Sequence, residues 1–242
     1  MRASVLLAVL LVLLAPTVAV SAADLAAFSA RYEVYLDGKP RGDSRMMLRE
    51  ESPGRWLLSV DAQGSGSLAR LSGYSLHQET RFDLVDGRPR LLSGLTRREN
   101  RLGRREVSTI FDWRSGEASW SGQVEVRERG PLPLSADAVN APLLNLLLAL
   151  DGRDARPGEV LSYRLLDRGE ADRVDYVRGA LEPVQVPAGR YLAAPLSGER
   201  PSRQRRTTAW YAAELPPLPV RMVQTEPGKP NYELRLAAIE TS

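Results

Sequence analysis

Hydrophobic and polar residues alternate along most of the chain. The first alternating segment runs from Phe28 to Leu36, and later ones cover residues 56–62, 76–84 and 107–113. A period of two residues is typical of strands that bury one face. Turn sequences such as Asp37-Gly38 separate these segments. The pattern therefore predicts a meander of antiparallel hairpins.

Closely spaced hairpins predict a mainly β fold. We expect an antiparallel, strongly curved sheet or barrel of roughly 10–13 strands, with one or two helices packed on or in it. A flat sheet of this length would leave its edges and one apolar face uncovered, so closure or a covering helix is needed. Residues 23–242 are predicted to form a single β-rich domain, with two halves that meet near residues 151–159.

One segment departs from the alternating pattern. Residues 135–150 are rich in Leu and Ala and poor in β-branched residues. Ser135 can cap a helix there, Pro142 marks an internal helix start, and Gly152 lies just beyond the expected end. From residue 143 to residue 150 only Asn145 is polar. The helix is therefore apolar around its circumference and should be buried as a plug or cover of the sheet.

The N-terminus predicts export. Arg2 precedes an apolar run from Val5 to Pro16, and small residues surround Ala22. This is the pattern of a signal peptide over residues 1–22, cleaved after Ala22 or Ala23. The run is shorter than the roughly 20 residues that cross a bilayer. We expect a soluble periplasmic protein of a Gram-negative bacterium, with no stable membrane insertion after cleavage.

Composition narrows the chemistry. The chain has no cysteine, so lipidation at a cysteine, disulfides and thiol catalysis are excluded. Its 33 basic and 30 acidic residues nearly balance, whereas a nucleic-acid binder shows a larger, localised basic surplus. A single histidine rules out a multi-histidine metal centre. We therefore expect neither a cofactor nor a nucleic-acid partner.

Catalytic motifs are weak. His77 is the only histidine, and it lies on the polar phase of its strand, where an exposed side chain is expected. The segment Gly64-Ser65-Gly66-Ser67 lacks the lysine of a phosphate-binding loop and does not match the Gly-x-Ser-x-Gly elbow. Acidic residues are numerous enough for a glycosidase pair, but none stands out. The prediction is a non-enzymatic protein, and a carboxylate-based hydrolase is the least favoured alternative.

Two arginine-rich segments are candidates for binding anions. One covers residues 97–105 at a predicted hairpin tip, and the other covers residues 200–206. Guanidinium groups bind phosphate and carboxylate in a bidentate manner, and lipid head groups of the envelope carry both. Arg203, Arg205 and Arg206 are the predicted anion-binding residues. A solvated loop is the simpler alternative.

Several short motifs occur in a recognisable order. They are the strand Phe28–Tyr35 with its Gly38…Gly42 turn, Ala141-Pro142-Leu143-Leu144, the segment Val186–Tyr191, and Trp210-Tyr211 followed by Leu218-Pro219-Val220-Arg221. In these motifs the chain resembles the bacterial domain-of-unknown-function family 3108 of exported proteins. The resemblance implies a β-rich, barrel-like periplasmic fold and no particular reaction. The last motif is also similar to periplasmic lipoprotein carriers, whose curved sheet wraps an acyl chain.

The favoured function is the binding of an apolar or lipid-like envelope ligand inside the curved sheet. The apolar helix motivates it, because a simple barrel does not need one. The predicted ligand-binding residues are Tyr32, Trp56, Phe82, Phe111, Trp113, Leu144, Leu147 and Trp210, with Phe28 beside them. Trp210 equally fits a core position. The alternative is an accessory or structural envelope protein that holds a protein partner through its arginine loops or edge strands.

Overall fold

The computed structural model of the protein describes residues 25–65 and 73–241. Most of these residues form strands of one large, curved, mainly antiparallel sheet, which confirms the predicted fold class. The predicted signal peptide, residues 1–22, and Gly66-Ser67 of the glycine–serine segment lie outside the described residues. Within the described residues, no helix is long and apolar enough to cross a membrane.

The strands follow the hairpin pattern of the sequence. The N-terminal strands are β1 (Phe28–Leu36), β2 (Lys39–Ser52), β3 (Arg55–Gly64), β4 (Ser75–Val85), β5 (Arg88–Asn100), β6 (Gly103–Asp112), β7 (Glu117–Gly122), β8 (Leu132–Pro133) and β9 (Ala138–Val139). The C-terminal strands are β10 (Val160–Asp167), β11 (Glu170–Arg178), β12 (Glu182–Val186), β13 (Gly189–Arg200), β14 (Arg205–Tyr211), β15 (Arg221–Thr225) and β16 (Tyr232–Thr241). The described residues thus hold more strands than the roughly 10–13 expected, and two of them, β8 and β9, have only two residues each and carry no periodic signal.

The sheet is curved but not closed. Its strand order is β8-β7-β6-β5-β4-β3-β2-β1-β16-β15-β14-β13-β11-β10-β9, and β12 pairs with β13. β1 and β16, the first and last strands along the chain, are neighbours in the sheet, with Phe28 opposite Thr241. Both halves of the chain therefore belong to one hydrogen-bonded sheet.

The only parallel pair within the described residues joins β9 to β10, with Ala138 opposite Arg164. At the other end of the strand order, β8 pairs with β7, with Leu132 opposite Ala118. The eight-residue stretch 132–139 thus contains both terminal strands of the sheet, since β8 pairs with β7 and β9 pairs with β10.

Helix α1 (Ala141–Asp154) is where the apolar segment was expected, but its ends differ from the prediction. Asn140 caps the start, since its Oδ1 accepts a hydrogen bond from Leu143 N at 3.1 Å, and Pro142 fits the first turn. Ser135 is not the cap, because residues 136–139 form a turn and β9. Gly152 does not follow the helix but lies inside it and is buried.

α1 fills the concave side of the sheet and packs against β3, β4, β10 and β13. Leu143, Leu146 and Leu148 have no solvent exposure. The helix starts halfway along β4, where Asn140 Nδ2 donates to Thr80 Oγ1 at 2.8 Å. It ends near the β4–β5 turn, where Arg88 Nη2 lies 3.2 Å from the Asp151 carboxylate.

The helix therefore covers only one end of the inner face. We call the other end, which contains the turns at residues 37–38, 101–102 and 226–231, the mouth of the sheet. At this end Asp37 N donates to Asn231 O at 2.9 Å, which extends the pairing of β1 with β16 into the turns.

Candidate functional site

Six of the predicted ligand-binding residues belong to the core into which α1 packs, and two of them are residues of α1 itself. Tyr32, Trp56, Phe82, Phe111, Leu144 and Leu147 are all buried and belong to one hydrophobic core. α1 occupies the space that an open cavity between them would need. At the C-terminal end of the helix lies a cavity of about 30 Å³. In this arrangement the six side chains form the core of the fold.

The other two predicted residues are half-buried. Trp210 packs against the same core and alternates along β14 with the buried Ala209 and Tyr211. Arg221 stacks over the Trp210 ring at 5.0 Å. Trp113 lies in the turn after β6, where its Nε1 donates to Leu91 O at 2.6 Å.

The predicted anion-binding arginines are already paired with carboxylates. Arg203 Nη2 lies 3.4 Å from Glu170, Arg205 Nη2 lies 2.6 Å from Glu226, and Arg206 Nε lies 3.1 Å from Glu199. Because these partners neutralise the guanidinium groups, the geometry favours a structural role for the three residues.

His77 lies between two carboxylates on the outer face. Its Nδ1 is 2.6 Å from Asp61 Oδ1, and its Nε2 is 3.3 Å from Glu79 Oε1. The hydrogen bond to Asp61 raises the pKa of His77, although partial burial opposes it. Both ring nitrogens are thus bonded to acids, so neither faces a hydroxyl nucleophile.

A different set of residues converges at the mouth. One register row crosses β1 to β6 on the inner face, and each member lies directly opposite the next: Tyr32, Ser44, Ala62, Leu76, Arg98 and Arg105. The next row towards the helix contains Val60, Gln78, Thr96 and Val107. Both rows lie on the mouth side of Thr80, where α1 begins.

This part of the inner face is only partly covered. Ala62, Leu76, Val60 and Val107 are half-buried, in contrast to Leu58, which has no exposure where the helix packs. These apolar side chains alternate with the polar Ser44, Gln78 and Thr96 of the same rows. Together they form a strip from the core to the rim of the sheet, which we call the apolar strip. Its outer end carries the exposed Arg98 and Arg105.

Arg98 and Arg105 face each other across β5 and β6 without a counter-ion. Directly opposite side chains have Cβ atoms about 5 Å apart, and like charges there destabilise the sheet. The outward arginines of the same hairpin are neutralised: Arg97 Nε lies 2.9 Å and Arg104 Nη2 2.6 Å from Glu106. Within residues 25–65 and 73–241, no carboxylate lies within 4 Å of either inward guanidinium. The pair is therefore an unneutralised positive site beside an apolar strip.

Tyr32, at the buried end of the row that leads to Arg98 and Arg105, has a polar atom with no partner. The Tyr32 hydroxyl makes no hydrogen bond, although its surroundings are fully enclosed. Burial, with a smaller effect from Tyr232, raises the pKa of Tyr32 far above the ordinary range of a phenol. The hydroxyl therefore remains protonated and can act as a donor inside the sheet.

The hairpin is recognisably arginine-rich in the sequence, but its inward residues were not among the predicted anion-binding residues. The signal was present in the phase of the strands. Arg98 follows Gly94 and Thr96 at intervals of two, and Arg105 precedes Val107 and Thr109 in the same way. Both arginines thus share the phase of the inward residues.

The chain matches a known protein family. A family described as a protein of unknown function, DUF3108, matches residues 31–235. No curated protein sequence matches the chain.

Several solved structures align with the chain. A β-barrel-like protein of the domain of unknown function DUF1849 from Brucella abortus aligns with a TM-score of 0.58 at 10% identity, over 90% of this chain and 98% of that chain. A DUF1089 family protein from Pseudomonas aeruginosa aligns with a TM-score of 0.41 at 14% identity, over 77% and 90% of the two chains. An exported protein with a YmcC-like fold from Bacteroides fragilis aligns with a TM-score of 0.38 at 13% identity, over 90% and 97%. The first of these likenesses concerns the fold alone.

Proposed function

The chain belongs to the DUF3108 family of proteins of unknown function, and from this premise we propose that it is a non-catalytic, periplasmic envelope protein that binds an anionic, lipid-like ligand at the mouth of its curved sheet. The observation that carries the proposal is the inward pair Arg98 and Arg105, which lies opposite in register and without a carboxylate partner among the described residues. An anionic head group would relieve the repulsion between the two guanidinium groups and bind both of them.

The apolar strip gives the ligand's chain a surface to follow. It extends from Arg98 on β5 through Leu76 and Ala62 to β1. Neighbouring strands are about 4.8 Å apart, so four strand spacings give about 19 Å of inner face. Contact with this half-buried surface would remove apolar area from water on both ligand and protein. The ligand would therefore lie across the strands, with its charged end at the rim.

The surroundings of His77 favour binding over catalysis. A general base needs a nitrogen free to take a proton from a nucleophile. In His77 both nitrogens contact carboxylates, which favour the charged imidazolium form. The residue is therefore better suited to an ion pair than to proton transfer.

The test is charge reversal at the mouth. We expect the double variant R98E/R105E to weaken binding of oleate, measured by calorimetry, by about tenfold or more, because each charge-assisted hydrogen bond contributes about 1.5–3 kcal/mol. The matched control is R55E/R114E, which makes the same charge change at exposed arginines at the opposite end of the sheet. That control should keep the affinity of the unmodified protein.

Native ligand is sought separately, by lipid extraction of protein purified from the periplasm and mass spectrometry. A bound anionic lipid that the R98E/R105E variant loses would support the proposal. Equal oleate binding by R98E/R105E and R55E/R114E would refute it. Recovery of a protein partner without any lipid would favour the accessory-protein alternative.

A further inference from the structure

The turn between β5 and β6 carries the most exposed large hydrophobic side chain of the described residues. Leu102 is 97% exposed at the tip of this hairpin. The backbone holds it there, because Leu102 N donates to Asn100 Oδ1 at 2.8 Å and Asn100 lies opposite Gly103 in register. A single exposed leucine is common on protein surfaces and indicates nothing by itself. Its surroundings decide whether it has a role.

Basic residues surround this tip. Arg101 lies in the turn itself, and Arg98 and Arg105 lie opposite each other at the base of the tip. Arg41, the third residue of β2, lies at the same end of the sheet. All four are exposed, and in the part of the chain that the structure describes none has a carboxylate within 4 Å. The rim of the mouth beside the tip is therefore positively charged.

An aromatic residue completes the surroundings of the tip. Gly73 lies against Arg101, since a Cβ added at Gly73 would be 3.6 Å from Arg101 Cγ. The next residue, Tyr74, is 45% exposed. Tyrosine combines an apolar ring with a polar hydroxyl, and such side chains are enriched where a membrane meets water. Leu102, Tyr74 and Arg101 thus form one exposed group, which we call the rim patch.

We propose that the rim patch attaches the protein reversibly to an anionic phospholipid surface, with the mouth of the sheet facing the membrane. Leu102 enters the boundary between head groups and acyl chains, where its apolar area leaves water. Arg101 and the arginines beside it bind lipid phosphates, which neutralise their charge. One apolar side chain with a few cations gives reversible binding rather than a permanent anchor.

The small size and the charge of the rim patch favour a membrane over a protein partner. A stable protein interface buries about 800 Å² on each partner, far more than a hairpin tip offers. Lipids, in contrast, rearrange around a single projecting side chain, and an anionic bilayer presents phosphates to every arginine of the rim. Leu102 and Tyr74 belong to neither row of the inner face, so the attachment does not depend on the ligand proposed above.

The test is co-sedimentation of residues 23–242 with vesicles of phosphatidylglycerol and phosphatidylcholine in equal parts, and with vesicles of phosphatidylcholine alone. We expect the chain to bind the anionic vesicles more tightly, and high salt to weaken that binding. L102D and R101E should each weaken binding to the anionic vesicles by about fivefold or more. The matched controls are I110D, at a 59% exposed position of the same hairpin, and R114E, at the opposite end of the sheet. Both should bind as the unmodified chain does.

Insertion is measured with L102W, which should sediment as the unmodified chain does. Brominated phosphatidylcholine in the anionic vesicles should quench the fluorescence of L102W more than that of the unmodified chain. Three results would overturn the assignment: no binding of the unmodified chain to anionic vesicles, equal binding by L102D and I110D, or no additional quenching in L102W. A crosslink from residue 102 to a periplasmic protein, together with no vesicle binding, would assign the rim patch to a protein partner instead.

The same variants separate this proposal from the ligand site. L102D should keep the oleate affinity of the unmodified chain, and thermal unfolding shows whether each variant is folded. Vesicle binding without oleate binding would support the rim patch and refute the ligand proposed above. Oleate binding without vesicle binding would do the reverse.

Discussion

Arg200 and Arg178 are both buried arginines, but they differ in their hydrogen-bond partners. Arg200 donates to Asp172 at 2.6 Å, Asp167 at 2.9 Å and Glu170 at 3.1 Å. Hydrogen bonds to Arg200 and Ser202 lower the pKa of Asp172 in spite of burial. The positive charge of Arg200 is therefore neutralised within the fold, whereas Arg178 donates only to backbone carbonyls.

His77 allows a prediction on pH dependence. Asp61 and Glu79 bond to its ring, and Arg97 lies opposite it in register on β5, where its positive charge opposes protonation. The net effect is a raised pKa for His77, chiefly from the Asp61 hydrogen bond. A group with a raised pKa in the folded state stabilises the protein below its unfolded pKa, and that stability is lost as the pH rises through the folded pKa.

We therefore expect H77Q to lower the free energy of unfolding at about pH 5.5 and to have a smaller effect at about pH 8.5. Urea unfolding at both pH values measures the difference. The control is Q78A on the neighbouring inward position, whose effect should not change with pH. A larger loss for H77Q at the higher pH would contradict the assigned ion pair.

Strand phase explains which residue predictions succeeded. The alternation identified Tyr32, Phe82 and Phe111 as inward residues, and all three are buried. It could not show that the interior would be filled, because that depends on where α1 packs. Nor could it show which arginines have carboxylate partners: Glu199 and Glu226 reach Arg206 and Arg205 only through strand pairing.

At the scale of elements, α1 packs closely against β13 at Gly152. A Cβ added there would lie 2.8 Å from Leu196 Cδ1, closer than ordinary van der Waals contact. Leu196 is 1% exposed, so its side chain has little room to move. The absence of a side chain at residue 152 thus sets how deeply the end of the helix sits.

This makes G152A a sharp test of helix packing. Alanine favours a helix by about 1 kcal/mol over glycine, so an unhindered site would become more stable. Here we expect a net loss of about 1–2 kcal/mol from overpacking, measured by urea unfolding. The double variant G152A/L196V should recover part of it, since valine shortens the opposing side chain. A gain in stability for G152A alone would show that there is room for a methyl group between α1 and Leu196.

Element boundaries were only partly readable from the sequence. The apolar run located α1, but Ser135 and Asn140 are both good caps, and only packing decides between them. Asn140 prevails because its amide also reaches Thr80 on the sheet. The two-residue strands β8 and β9 were missed because a pair of residues has no period.

At the scale of the whole molecule, β1 and β16 join the beginning and end of the fold. Nine positions of β1, from Phe28 to Leu36, each lie opposite a residue of β16. The core around α1 includes residues from both halves, such as Phe82 and Leu196. Neither half can bury its inner face without the other.

We therefore expect residues 23–242 to unfold as one unit, in spite of the polar loop at 155–159. Differential scanning calorimetry should give a single transition, with equal calorimetric and van't Hoff enthalpies. Two transitions, or a calorimetric enthalpy about twice the van't Hoff value, would show that the halves near residues 151–159 are independent domains.

The short strands β8 and β9 also affect how readily the protein aggregates. A long exposed strand at the border of a sheet can recruit another chain and start aggregation. Here both borders end in strands of two residues, and Pro133 in β8 has no amide hydrogen to donate. The stretch that spans the gap in the sheet thus covers part of both borders, which shortens the template that they offer to another strand.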